Sequence, residues 1–260
     1  MKYIDIHSHV YPHAIAKKAA DNVRNFYQIG RDMDGTPEML MDRGEKAGIQ
    51  TYVILPVAIR PENVHSINHF ILEQTRDHPC FVGFGTLHAG MENIGQEAQD
   101  LCQQGFHGLK LHPDCQKFAI DDPRLFPAYE AIQGKLPVML HMGDRRYNFS
   151  HPARLRKLLQ LFPQLQVIAA HFGGYSMYET ACHLLKDTDC IMDISSSLMF
   201  MEPGEAERYI NIYGAERMAF GTDYPVWDPV EEVQRLLSLD LTAAQKEQIA
   251  WKTAHRFLQL

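Results

Sequence analysis

The sequence predicts an α/β fold, a (β/α)8 TIM barrel forming one domain over residues 1–260. Three observations predict it: eight short apolar runs, amphipathic stretches of helical length between them, and a length of 260 residues. Strands alternating with helices imply a parallel sheet with right-handed crossovers, and eight units in about 250 residues is the size of such a barrel. A doubly wound open sheet is the competing architecture. It usually carries a nucleotide loop, and the nearest candidate, Gly83-Phe84-Gly85 followed by Thr86-Leu87-His88, lacks that loop's third glycine.

The runs extend from Tyr3 to His9, Thr51 to Pro56, Phe81 to Leu87, Gly108 to His112, Pro137 to His141, Gln166 to His171, Cys190 to Ser195, and Met218 to Asp223. Several are almost continuously apolar, as parallel strands covered on both faces must be. Between them, helical spacing is clearest over Glu62 to His78, Glu92 to Gln104, Pro152 to Phe162 and Pro229 to Leu237. Pro123 and Pro152 stand where a first helical turn tolerates proline. Thr242 to Leu260 has the spacing of one closing amphipathic helix. No low-complexity tract, charge block or linker divides the chain, so one domain is the simplest organisation.

Composition removes several classes of function. With 32 acidic and 25 basic side chains the formal charge is -7, the wrong sign for displacing phosphate counterions, so nucleic acid is not an expected partner. No apolar run approaches the roughly 20 residues of a membrane span, and Asp5 and the histidines after it interrupt any signal-peptide core; a cytoplasmic protein is expected. Five cysteines without a CxxC pair suggest neither a zinc ribbon nor a disulfide framework. The compositional excess is histidine, with 14 residues.

The positions of the histidines make that excess informative. His7-Ser8-His9 ends the first run, and residues two apart on a strand point to one side. His141 closes the fifth run, His171 the sixth, and Asp223 the eighth. A barrel gathers strand ends at its C-terminal face, where such enzymes place their sites, and imidazole with carboxylate suits zinc, iron or manganese. A bound metal lowers the pKa of water toward ~7, and Asp223 can take the proton because a carboxylate can touch both metal and water.

Taken in order, these residues resemble the amidohydrolase superfamily, in particular its amidohydrolase-2 branch, which includes metal-dependent hydrolases and decarboxylases related to aminocarboxymuconate semialdehyde decarboxylase. The resemblance spans essentially the whole chain. It rests on Asp5-Ile6-His7-Ser8-His9, Lys110-Leu111-His112-Pro113, His141-Met142-Gly143, Ala170-His171-Phe172-Gly173-Gly174, Gly221-Thr222-Asp223-Tyr224-Pro225 and the terminal Thr253-Ala254-His255-Arg256-Phe257-Leu258. It implies one divalent metal held by His7, His9, His141 and Asp223, with zinc expected first and manganese or iron as alternatives. His171 is implied beside the metal, bonded to its water or to the substrate. Some superfamily members bridge two metals with a carboxylated lysine on strand 4, where Lys110 lies; the branch resembles a one-metal design, with Lys110 and His112 lining the pocket.

In the loop after His141, Arg145 and Arg146 are candidates to clamp a substrate carboxylate. Tyr224 and Trp227 are candidates for an aromatic wall or for rim packing. The reading expected first is a metal-dependent hydrolase acting on a small amide, ester or lactone, with Asp223 and His171 moving the proton. The alternative is a metal-dependent non-oxidative decarboxylase acting on a small carboxylic acid. A non-catalytic metal sensor is a third class, disfavoured because barrel-rim sites usually host chemistry. The expected partner is therefore a small molecule, possibly anionic, and a homodimer is the commonest closed assembly.

Overall fold

The structure, a computed structural model, describes residues 1–260. Nine strands occupy the eight runs: β1 (Tyr3–Ser8), β2 (Ile49–Ile54), β3 (Phe81–Gly83), β4 (Gly85–Thr86), β5 (Leu109–Leu111), β6 (Val138–Leu140), β7 (Val167–Ala169), β8 (Ile191–Asp193) and β9 (Met218–Ala219). The third run divides at Phe84 into β3 and β4. By its contacts the chain forms two compact units, Met1–Leu55 with Asp193–Leu260, and Pro56–Met192.

In the first unit β1 pairs in parallel with β2 through Tyr3↔Ile49, Ile4↔Thr51, Asp5↔Tyr52 and Ser8↔Ile54. Its other edge takes the segment after β9: Ile6 N–H donates to Phe220 O at 3.0 Å, Asp223 N–H to His7 O at 2.7 Å, and His9 N–H to Tyr224 O at 2.7 Å. The predicted closing helix over Thr242 to Leu260 is found as one helical run made of Ala243–Glu247, a wider π-type turn Gln248–Lys252, and Thr253–Leu258. Within the widened turn, Ile249 O accepts Phe220 N–H from outside the helix at 2.9 Å.

In the second unit β4, β5, β6 and β7 follow one another in parallel register, for example Leu109↔Val138↔Val167, and β7 continues onto Ile191 and Met192. Val138, Met139 and Leu140 are all fully buried, so both faces of β6 are covered and a continuous apolar run is required there. The helical readings hold to within two residues at Val64–Asp77, Ile94–Gln104, Pro152–Leu161 and Pro229–Ser238. Pro152 sits in its first turn as expected, with the His151 ring accepting Ala153 N–H. No helix is long and apolar enough to cross a membrane.

Candidate metal centre

The first unit pins the ends of its strands with a buried carboxylate. Asp5, fully buried, accepts His7 N–H (3.0 Å) and Thr222 N–H (2.9 Å) on Oδ1, and the Ser8 (2.5 Å) and Thr222 (2.6 Å) hydroxyls on Oδ2. Burial raises its pKa to about 6 against those hydrogen bonds, so desolvation outweighs them. Gly221 is required beside it, because a Cβ there would lie 2.8 Å from His7 Cβ. These contacts tie the first-run histidines to Asp223, more than two hundred residues away in sequence.

What the imidazoles do next follows from hydrogen-bond polarity. His7 Nδ1 is 2.8 Å from Asp193 Oδ2, and His9 Nδ1 is 2.6 Å from the Leu55 carbonyl. A carboxylate and a carbonyl only accept, so both Nδ1 atoms carry a proton, and in the neutral rings both Nε2 atoms carry the lone pair. Those Nε2 atoms face one carboxylate oxygen, Asp223 Oδ1, at 3.4 Å and 3.5 Å. Three electron-rich atoms grouped in this way repel one another unless a cation lies among them. The spacing fits one, since ligands placed tetrahedrally at ~2.1 Å from zinc stand about 3.4 Å apart.

Asp223 is itself held firmly in place. Its backbone is left-handed, with φ 58°, an uncommon conformation for a non-glycine residue. Ser196 donates its hydroxyl to Oδ2, and the Ser196 oxygen in turn accepts Trp227 Nε1–H at 2.9 Å. Asp193 is held similarly, accepting the Ser195 N–H (3.0 Å) and hydroxyl (2.5 Å) on Oδ1. Tyr224 belongs to packing: fully buried, it donates its hydroxyl to Thr36 O at 3.0 Å.

The second unit contributes a cluster of its own. His141 Nδ1 lies 3.0 Å from His171 Nε2, and the His112 ring stacks on His141 with centroids 3.9 Å apart and planes 10° from parallel. His171 is also left-handed, with φ 59°. Gly143 explains why His141-Met142-Gly143 needs its glycine. At φ 79°, a Cβ there would meet Gly174 Cα at 2.4 Å, and Tyr175 N–H donates to Met142 O at 2.7 Å.

Lys110 is fully buried on β5, and its carbonyl accepts the Thr86 hydroxyl at 3.0 Å. His112 caps the short turn Pro113–Gln116 by accepting Cys115 N–H on Nδ1 at 3.4 Å. Arg145 is exposed, with its guanidinium on Ser176 O at 3.2 Å, and Arg146 grips Asp144 with both Nε and Nη2. Arg145 is thus bonded to the loop after β7, and Arg146 within its own loop. Sequence reasoning missed Asp193, Ser195, Ser196 and Asp114. Asp193 had a usable signal, since it lies two residues before the end of the seventh run, near the position that His141 and His171 take in theirs.

The description "Amidohydrolase" belongs to the family whose sequence profile matches residues 4–260. Among solved structures, the chain resembles an uncharacterized TIM-barrel protein from Bordetella bronchiseptica at 20% identity, with TM-score 0.80 over 100% of this chain and 99% of that one. It also resembles a dihydroxybenzoic acid decarboxylase from Polaromonas sp. JS666, solved with bound manganese and the inhibitor 2-nitroresorcinol, at 17% identity and TM-score 0.78 over 100% and 97%. A third similar structure is the 5-carboxyvanillate decarboxylase from Sphingomonas paucimobilis, at 15% identity and TM-score 0.73 over 100% and 99%. At these identities the likeness is one of fold, and the fold is the TIM barrel.

Proposed function

The chain belongs to the amidohydrolase family, and from that premise we propose that it is a metal-dependent, non-oxidative decarboxylase of small carboxylic acids. The observation that carries the reading is the pair His7 and His9, fixed with Nε2 lone pairs toward Asp223 Oδ1. The proposed ligands of one divalent cation are His7, His9, His141 and Asp223. Decarboxylation is favoured over hydrolysis by the neighbours, which include decarboxylases of hydroxylated aromatic acids, one with manganese bound. Manganese therefore joins zinc among the ions to test first.

When bound, such an ion supplies a Lewis acid that holds an anionic substrate and stabilises the charge developing on it. The protein's own groups supply the rest. Asp223 has one oxygen committed to Ser196 and the other to the histidines, which suits it to holding charge in place. His171 is the proposed proton carrier: as the carbon–carboxylate bond breaks, carbon dioxide leaves, the electron pair stays on the substrate carbon, and a proton from His171 Nε2 replaces it. His112, Lys110 and Arg145 are the proposed substrate-side groups. Arg145 has to release Ser176 O before it can clamp a carboxylate.

Hydrolysis of an amide, ester or lactone is the second reading, favoured by the family's description; there Asp223 or His171 takes a proton from water. The experiment is a screen of purified protein loaded with manganese or zinc against hydroxybenzoates, unsaturated acids, lactones and amides, following carbon dioxide release and water incorporation. Carbon dioxide released stoichiometrically without water incorporation is the expected result. Turnover confined to lactones or amides would replace this reading with the hydrolase.

A further inference from the structure

Asp114 follows β5 in the second unit and is completely buried. Its Oδ2 accepts the Ser150 hydroxyl at 2.6 Å, and Ser150 Oγ accepts Gly143 N–H at 3.0 Å, so the carboxylate is fastened to the loop that carries His141. The same Oδ2 is 3.7 Å from His141 Nε2, while Oδ1 has no hydrogen-bond partner. A buried carboxylate with an idle oxygen is costly, and such a cost is retained where the group has work to do.

Two tasks are open to it. His112, Asp114 and His141 offer ligand atoms within 4.8 Å of one another, which by distance alone admits a cation among the three. The ring geometry argues against that. Imidazole lone pairs lie in the ring plane, and these rings are stacked 3.9 Å apart and nearly parallel, so their lone pairs cannot both point at one ion between them. The other task is to accept the proton of one ring nitrogen.

We propose that Asp114 is a positioning residue for His141, holding it as the Nε2–H tautomer so that Nδ1 keeps its lone pair for the divalent cation. The inference rests on the reading of His141 as a ligand. It gives His141 the outer partner that Asp193 gives His7 and Leu55 O gives His9, although the ring nitrogens exchange roles. At 3.7 Å the contact is longer than a hydrogen bond, and the carboxylate acts on the ring as a fixed negative charge that favours a proton on the nitrogen facing it.

The test uses the full chain and compares Asp114→Asn, Ser150→Ala and His141→Ala with the wild type. Zn2+ and Mn2+ affinities are measured by competition with a chromogenic chelator, and the His141 tautomer by 15N NMR of the metal-free protein. Asp114→Asn keeps the shape and removes the charge. It is expected to weaken metal binding by roughly 10–100-fold and to convert His141 from Nε2–H to a mixture of tautomers, with the metal-free melting temperature unchanged. Ser150→Ala is expected to act in the same direction, more weakly, and carries the test if Asp114→Asn does not fold.

Unchanged affinity in the folded Asp114 or Ser150 variant overturns the proposal, as does lost affinity with the tautomer unchanged. His141→Ala separates the two levels. Unchanged affinity there removes the ligand reading and this inference with it, whereas a loss there beside normal binding in Asp114→Asn removes the inference alone.

Discussion

Asp193 Oδ2 accepts the Nδ1 proton of His7 at 2.8 Å across 186 residues of chain. This one bond decides which nitrogen of His7 is available for a metal. It also makes Asp193, at the end of β8, part of the candidate site without its being a ligand.

Asp193→Asn is expected to lower metal affinity by about 10–100-fold, because the amide can offer an N–H to Nδ1 and reverse the tautomer. Chelator competition measures it, with far-UV circular dichroism unchanged. Wild-type affinity in this variant would show that the bond does not set the ring.

The purified protein is expected to hold one divalent ion per chain, and the His7→Ala, His9→Ala double variant to hold none. Elemental analysis after exhaustive dialysis checks both. Full metal content in the double variant would place the ion elsewhere.

Asp223→Asn is expected to reduce turnover to background while the fold survives, since Ser196 can still bond the amide and the left-handed backbone is available to asparagine. Carbon dioxide release and the thermal melt are the paired measurements. Activity near that of the wild type would remove Asp223 from its assigned role.

Glu232, buried on the helix Pro229–Ser238, has its pKa raised to about 8 by desolvation, with Arg235 at 3.0 Å opposing the shift. A folded pKa above the unfolded value means that the folded state prefers the protonated acid. The associated stability is fully present below about pH 4.5 and is lost as pH rises toward 8. Glu232→Gln is therefore expected to gain stability relative to the wild type as pH increases, with the largest melting-temperature advantage near pH 9. A constant difference between pH 5 and pH 9 would contradict the shift.

Much of the fold was legible because its signals are local. Val138-Met139-Leu140 reads as a strand covered on both faces from three adjacent side chains, and Pro152 marks a helix start by its own missing N–H. The closing helix was legible too, but its internal π-type turn was not, for the opposite reason. Its amphipathic spacing is real, but the π-type turn at Gln248–Lys252 coincides with Phe220 N–H reaching Ile249 O, a partner some thirty residues away. The arginines of the loop after His141 were legible as cations; their bonds to Ser176 and Asp144 were not.

The sequence by itself determined the residue types and their order at the strand ends: His7 and His9, His141, His171 and Asp223. Strand periodicity and motif spacing are properties of neighbouring residues, and a single chain displays them directly. Tertiary structure alone decided which ring nitrogen each of His7 and His9 presents, because that choice belongs to Asp193 and to the Leu55 carbonyl. It likewise decided that Asp114 lies against His141 and that His112 stacks on the same ring. A tautomer is set by the acceptor opposite the ring, and folding brings that acceptor from a distant part of the chain.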